Sequence, residues 1–481
     1  MKKIFYCVSV LFVLFVSAEG AFGYLGKSIR IMGLGDELMG VIRDEYTDIY
    51  RNPAYLSFVE KVKIFGQDNL YQHTELRIAE NFRNEDALLA GLVLPLAKYG
   101  NLALIGELKP STKEDRYTKA SNTYYTIDTS FVKYFSKKST RNFKVIYGRK
   151  LSPSLSVGID FTYLKNYNDA DTNKTITTQR YNDYGKLWEY TQGVIIDNYN
   201  NSPDAQRGSM GIILTPDQRT TLDFTLYYES LIYTSDSSSK EDVETKWFRS
   251  DTSFRDNFSY YTKRVPNKNR AFGLDVNLKY HFPQKTSLAI LFGGRYQNNE
   301  SSFSESNKDS TYYSWRWTEL SNQEIFRRAN DKLYNFIMGI GAEKDFSSSI
   351  KIGVAFKGYW DRKKIDRYEW QETSSVSTNH DSVINSSSSF WENRLKKTTN
   401  SYKFTFPIGA EIVLHKMIKA RFGGGFIVKR DETKTGYSTH TEDYYSQGFG
   451  LSYDERIFLD VYFEDELTPI GNWMAKIEYR F

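Results

Sequence analysis

Apolar residues occupy every odd position over the last ten residues of the chain, 472–481, and the even positions are polar except for Met474. Because successive side chains of a β-strand point to opposite faces, this segment has one apolar face and one polar face. The odd positions hold Trp473, Ala475, Ile477, Tyr479 and Phe481. Slipping the register by one residue would place Lys476, Glu478 and Arg480 in lipid, at up to ~2–4 kcal/mol for each Lys or Arg at the midplane. The pattern is therefore typical of a transmembrane β-barrel strand with a well-determined register.

The same alternation recurs upstream, in segments 155–163, 220–233, 270–282, 286–297, 349–360, 402–414 and 456–463. The connections alternate in length. Seven short turns are expected near 97–99, 152–153, 216–219, 283–285, 347–348, 415–416 and 454–455. Long polar loops are expected near 109–125, 165–206, 234–268, 298–330, 361–400, 430–446 and 464–471.

Short turns on one side and long loops on the other are the arrangement of outer-membrane barrels, in which the long loops are extracellular. With both termini on the periplasmic side, n strands need n/2 − 1 short turns, so seven turns give sixteen strands. The sequence thus predicts an all-β fold, an antiparallel transmembrane barrel of about sixteen strands.

The one long apolar run lies at the N-terminus, where Lys2 and Lys3 precede residues 4–16 and small residues follow. A run of this length is too short to span a membrane as a helix, and its flanks are those of a secretory signal peptide. We expect a signal peptide over residues 1–20. The single cysteine, Cys7, lies within it, so disulfides and thiol chemistry are excluded from the mature chain.

Composition adds little that would favour other functions. The net charge of +5 arises from 64 basic and 59 acidic residues, a near-balance that gives no reason to expect a nucleic-acid partner. The five histidines lack metal-site spacing, and no G-x-S-x-G or phosphate-binding motif occurs. We therefore predict no enzymatic activity, no catalytic residues, no metal and no cofactor.

Residues 21–60 do not alternate and carry a distinctive set of turn and helix signals. Asn52 followed by Pro53 is the pattern of a helix N-cap with proline at the first helical position. The wider motif consists of Arg30-Ile31-Met32-Gly33-Leu34-Gly35, then Asp44-Glu45, then Ile49-Tyr50-Arg51-Asn52-Pro53-Ala54-Tyr55-Leu56.

This motif resembles the start of the FadL family, outer-membrane transporters of long-chain fatty acids and other hydrophobic compounds. The resemblance implies that residues 21–60 form a small hatch plugging a barrel built from residues 61–481, and it implies fourteen strands rather than sixteen. The hatch residues it nominates are Gly33, Gly35, Asp44, Asn52, Pro53 and Ala54. Asp36 and Tyr55 depart from the family pattern, since glycine is usual at both positions.

Charged residues on the predicted inward faces form a second candidate site. They are Lys351, Lys357, Lys419, Arg421, Asp460, Lys476, Glu478 and Arg480. Because buried charges must be paired to be tolerated, these residues predict a salt-bridged lumen, and a selectivity lining is the functional alternative. Phe481 resembles the terminal phenylalanine that the barrel assembly machinery reads in outer-membrane proteins.

Two functions stay open at this point. The first is uptake of hydrophobic molecules such as long-chain fatty acids, with outer-membrane lipids, the assembly machinery and a hydrophobic ligand as partners. The second is a docking or assembly role, because the same signature occurs in a shuttle protein of the type IX secretion system. A continuous apolar pocket against residues 24–60 would favour uptake, whereas a filled lumen with an apolar loop surface would favour docking. A general porin is disfavoured because the N-terminal segment would obstruct it.

Overall fold

The computed structural model describes residues 30–31, 34, 38–70, 87–123, 126–181, 187–201, 204–248, 252–313, 317–379, 382–433, 436–453, 456–464 and 473–481. Helix α1 (Glu45–Arg51) is followed by a 3-10 helix at Pro53–Phe58, and a 3-10 turn lies at Ala97–Tyr99. The strands are β1 (Lys63–Leu70), β2 (Ala87–Pro95), β3 (Asn101–Thr123), β4 (Thr126–Ser152), β5 (Leu155–Tyr181), β6 (Leu187–Asn201), β7 (Asp204–Leu214), β8 (Thr220–Phe248), β9 (Thr252–Phe282), β10 (Thr286–Tyr313), β11 (Trp317–Asp345), β12 (Ile350–Asn379), β13 (Ser382–His415), β14 (Ile418–Thr433), β15 (Gly436–Tyr453), β16 (Ile457–Glu464) and β17 (Trp473–Arg480).

These strands form one closed antiparallel sheet. Strand β1 pairs with both β2 and β17, and this pairing closes the ring. Strands β6 and β7 both lie between β5 and β8 and keep one register, since Asn201 pairs with Ser235 and Asp204 with Ile232. The two therefore occupy one place in the wall, and the barrel has sixteen strands. The count predicted from the turns is confirmed, and the fourteen strands implied by the family resemblance are wrong.

Six of the seven short turns predicted from the sequence fall where consecutive strands meet, and the seventh, at 454–455, lies outside the described residues. Six of the seven predicted long polar loops are wrong as loops: most of their described residues extend the strands, so that β12 and β13 run for 30 and 34 residues. The side chains of these extensions form hydrogen bonds across neighbouring strands, for example between the hydroxyls of Ser375 and Ser387 at 2.8 Å. Because both faces of these extensions are polar, no alternation signalled a strand. The predicted stretch 464–471 lies almost wholly outside the described residues.

An outward apolar band surrounds the barrel next to the short turns. A row of aromatic residues marks its upper edge: Tyr228, Phe272, Tyr296 and Tyr334 are cross-strand neighbours on β8 to β11. The lower edge on β9 is Phe282, ten residues from Phe272, or ~33 Å along the strand, which a tilt of about 40° reduces to ~25 Å. That height matches the apolar band of outer-membrane barrels. Within the described part of the chain, no helix is long and apolar enough to cross a membrane.

The closing strand β17 presents its faces as the alternation predicted. Lys476 and Glu478 are buried inside, whereas Ile477 is 58% exposed on the outside. Phe481 is also exposed, and its backbone N–H donates to the carbonyl of Val62. Its role as an assembly signal stays a prediction.

The band can be tested on strand β13 with two substitutions on the same face. Ile408 is exposed in the band between Val354 and Gly424, and Ser386 lies on the polar extension. We expect Ile408→Arg to lower the free energy of unfolding in bilayers by ~2–4 kcal/mol, because arginine enters lipid. Ser386→Arg is the control and should change it by less than ~0.5 kcal/mol. Equal effects in denaturant titrations would show that Ile408 does not face lipid.

Candidate functional site

The described residues between 30 and 60, here called the inner segment, lie inside the barrel. Helix α1 begins at Asp44, whose carboxylate accepts a hydrogen bond from the backbone N–H of Thr47 at 3.0 Å. Leu34, Leu38 and Ile42 are fully buried. Two of the predicted hatch residues, Gly33 and Gly35, lie outside the described residues.

Asn52 joins the inner segment to the wall. Its side-chain oxygen accepts from the N–H of Ala54 at 3.0 Å, and Pro53 takes the first position of the 3-10 helix, so the predicted cap is confirmed. Its side-chain Nδ2 donates to the carbonyls of Phe224 at 3.1 Å and Ile212 at 3.4 Å. The fully buried amide thus fixes the local turn and two wall strands together. These wall bonds were invisible in the sequence because they join residues 160 or more positions apart.

Inward-facing glycines provide the space for this turn. They are Gly148, Gly158 and Gly211, on β4, β5 and β7. A Cβ on Gly211 would overlap the Asn52 side-chain oxygen, and one on Gly158 would overlap the backbone of Pro53 and Ala54. These positions therefore exclude every other residue unless the turn moves.

A second group of glycines receives the other end of the inner segment. Gly341, Gly353 and Gly409 lie on neighbouring strands β11, β12 and β13. A Cβ on Gly341 would stand 2.7 Å from a methyl group of Val41, and one on Gly353 would stand 2.6 Å from a methyl of Ile42. The wall is thus shaped to the segment at two separate places.

Glu411 is the centre of an ion network between the inner segment and the wall. Arg30 Nε and Arg421 Nε each lie 2.8 Å from Glu411 Oε2, and Arg421 also contacts Asp460 at 2.6 Å. Arg30 is 3.8 Å from Asp44 as well. Two predicted lumen charges, Arg421 and Asp460, are therefore brought together, while Arg30 and Glu411 were not foreseen as their partners.

Glu478 is the centre of a second network at the closing strand. Lys476 and Arg480 lie 3.1 and 2.6 Å from its carboxylate, and Lys63 lies 3.7 Å from it. Lys63 also pairs with Glu45 of α1. The inner segment is thereby connected to the seam where the barrel closes.

The remaining predicted lumen charges lie on β12 and β14. Lys351 pairs with Glu343 at 2.9 Å, and Lys357 donates to the carbonyl of Met39 at 3.3 Å. Lys419 is half-buried on β14, two residues before Arg421. A role for any of these charges in ligand selectivity stays a prediction.

A third polar cluster holds α1 against β8. Asp223 accepts from Arg51 at 2.7 Å and from the Tyr55 hydroxyl at 2.8 Å. Burial raises the pKa of the nearby Asp48 carboxyl to about 7, although Arg51 opposes this rise. Tyr55 is one of the two departures from the family pattern, and here its hydroxyl is a wall contact.

Two cavities border the described residues of the inner segment, and a third lies further along the wall. One of about 310 Å³ lies on the side of the short turns, against Glu45, Glu60 and Lys61. Another of about 110 Å³ lies beside α1, against Asp48, Arg51, Lys279 and His281. The third, of about 290 Å³, is lined by Asn142, Thr162, Leu164, Ala205, Gln206, Arg207, Glu229, Ser230, Leu231, Asn269, Ala271 and Arg295.

The third cavity lies on the far side of the inner segment. Thr162, which lines it, is four residues further from the short turns than Gly158, which touches Pro53. Four residues of strand correspond to ~13 Å. The inner segment thus separates two parts of the lumen.

Among known proteins, the chain has matches in solved structures. No protein-family model and no curated protein matches the chain. The solved toluene transporter TodX of Pseudomonas putida matches with TM-score 0.37 and 10% identity, covering 96% of this chain and 99% of TodX. A Pseudomonas aeruginosa FadL homologue matches with TM-score 0.29 and 10% identity, covering 83% and 100%. The Ralstonia pickettii toluene transporter TbuX matches with TM-score 0.33 and 12% identity, covering 94% and 99%.

Two of these three solved structures are thus toluene transporters by title, and the third is a FadL homologue.

The fit between the barrel wall and its inner segment can be tested at glycine. We expect Gly211→Ala to displace the turn at Asn52, because its Cβ would overlap that side chain. Amide hydrogen exchange over residues 44–58 should then rise at least several-fold. Gly294→Ala is the matched control, since a Cβ there meets nothing within 4 Å. Unchanged exchange in the Gly211 variant would show that the segment does not depend on this contact.

Docking of the inner segment should also depend on pH through Asp48. An unperturbed aspartate has a pKa near 3.9, whereas the buried carboxyl has a pKa of about 7. Between these two pKa values, docking of the inner segment is accompanied by proton uptake at Asp48. Docking therefore becomes more favourable as the pH falls from 7 towards 4, and less favourable as the pH rises to 7. Exchange over residues 44–58, compared at each pH with Asp48→Asn, should show this trend in the native protein only. The same profile in both proteins would rule out Asp48 as its source.

Proposed function

We propose that this barrel passes hydrophobic or amphipathic small molecules across the outer membrane, with the inner segment as a plug that moves. The observation that carries the proposal is the position of the segment between the cavities of about 290 and 310 Å³. A ligand that binds better to one plug arrangement shifts the population towards it. The proposed role is transport without catalysis, and the polar strand extensions face the outside.

The far-side cavity is the proposed ligand site. It combines apolar side chains such as Leu164 and Leu231 with two cations, Arg207 and Arg295. Both cations contact Glu229, at 3.4 and 2.7 Å. A long apolar molecule with one acidic group, such as a fatty acid, matches this combination.

The cavities that touch the inner segment are largely polar, so the continuous apolar pocket expected against residues 24–60 is not seen among the described residues. Lys351 and Arg421 are also poor partners for a ligand carboxylate, because Glu343 and Glu411 already hold them. We therefore propose that the ligand site lies in the far-side cavity and not against the plug.

Locking the plug to the wall tests the proposal. A Cβ on Gly341 would lie 2.7 Å from a Val41 methyl carbon, a spacing suited to a disulfide between Val41→Cys and Gly341→Cys. We expect the oxidised double variant in vesicles to take up oleate and toluene at least tenfold more slowly than its reduced form. The physical reason is that the plug can no longer leave the lumen.

The two single-cysteine variants are the controls and should respond to neither oxidant nor reductant. Full uptake by the oxidised double variant would show that the plug does not gate the path. No uptake of either probe by the native protein would overturn transport altogether and favour the docking function.

A role in docking another chain is the second candidate function, and strand β13 supports it. Its upper half, residues 382–399, pairs with β12 on one edge, and no described strand pairs with its other edge. Phe390 and Trp391 are 65% and 48% exposed there. A free strand edge with exposed aromatics can receive a strand from another chain.

A further inference from the structure

Cations lie on the outward face of β9 to β12, directly beyond the aromatic upper edge of the apolar band. Residues two positions apart on a strand share a face, so the outward row can be followed out of the band. The first outward residue after the last aromatic one is Arg270 on β9, Lys332 on β11 and Arg362 on β12. On β10 it is Asn298. Three of these four strands therefore leave the band at a cation.

The charge of this region is one-sided. The next outward residues on the same four strands are Lys268, Glu300, Asn330 and Lys364. The first two outward positions thus hold five cations, here called the cationic patch, and one carboxylate. Among the residues that the structure describes, no carboxylate forms a salt bridge with any of the five.

Two members of the cationic patch face each other. Lys332 on β11 and Lys364 on β12 are directly opposed across the two strands, which places their Cβ atoms ~5 Å apart. Like charges in this position are destabilising. The Lys364 ammonium lies 5.4 Å from the centre of the Tyr334 ring, which attracts a cation but carries no net charge. An anion held between the two ammonium groups would relieve their repulsion.

Other cations on the same face, further from the band, have partners within the chain. Arg264 on β9 lies 3.6 Å from Asp236, and Arg394 on β13 lies 3.3 Å from Asp366. The cationic patch differs from them because its counter-charge comes from its surroundings. Next to the apolar band, those surroundings are the headgroups of the membrane lipids.

We propose that the cationic patch binds the phosphate-bearing headgroup of a membrane lipid. The acyl chains of such a lipid lie against the apolar band, so its headgroup emerges where the patch begins. Arginine can hold a phosphate with two parallel N–H bonds, and lysine binds it as a point charge. Arg270 and Lys332 are two strands apart, or ~10 Å, so they can hold two phosphates of one headgroup. The site lies outside the wall and is independent of the plug and of the proposed transport.

The test uses the full-length barrel in a non-ionic detergent, with lipid A as the probe, because its headgroup carries two phosphates. Calorimetric titration with mixed micelles gives the Kd. We expect the double variant Arg270→Gln and Lys332→Gln to weaken binding at least about tenfold, because it removes two charges next to the headgroup. Lipid A should also raise the melting temperature of the native barrel by more than that of the double variant.

The double variant Arg264→Gln and Arg394→Gln is the matched control. It removes two arginines from the same outward face further from the band, and its Kd for lipid A should equal that of the native protein. Lipid A stripped of its phosphates should bind the native protein and both double variants equally weakly.

Inorganic phosphate separates a lipid site from a site for the free ion. It should not displace lipid A at equal concentration, and displacement would overturn the assignment to a lipid. The proposal is also wrong if both double variants weaken binding to the same extent, or if the dephosphorylated lipid binds the native protein as tightly as lipid A.

Discussion

The exclusion of water from lipid is the constraint on which the rest of this structure depends. Every backbone N–H and C=O at membrane depth must find a partner within the protein, and a sheet meets this demand only when it closes. Here β1 closes it by pairing with both β2 and β17. The outward residues then face lipid and the inward residues a lumen, so the alternation in the sequence follows from closure.

A closed wall of sixteen strands encloses a wide lumen, and the inner segment fills part of it. This packing brings charges into a space largely shielded from water, where an unpaired ion costs several kcal/mol. Buried carboxylates between the segment and the wall are accordingly paired. Glu411 forms salt bridges with Arg30 and Arg421, and Asp223 forms one with Arg51 and accepts a hydrogen bond from Tyr55. The arrangement fixes the segment through a few polar connections and two shaped glycine contacts. Such connections can be exchanged for others, which is what a movable plug requires.

The described part of the wall is not equally tall all round. The described strands β1, β2, β16 and β17 have 8 or 9 residues, whereas β8 to β13 have 28 to 34. The extensions carry mainly polar residues on both faces and are stabilised by cross-strand pairs such as Arg394 with Asp366. They lie beyond the apolar band, where the lipid constraint no longer applies.

The sequence by itself determined the membrane-facing features of this protein. Alternation at Ile477 and Glu478 assigned the two faces, the seven turns gave sixteen strands, and Asn52-Pro53 gave the cap, because each depends on neighbours a few positions apart. Only the tertiary structure decided which residues meet across the lumen. How the closed sheet brings distant strands together decides that Gly211 makes room for Asn52 and that Glu411 joins Arg30 to Arg421. The polar extensions were mistaken for loops for a related reason: where both faces meet water, the alternation that reveals a strand is absent.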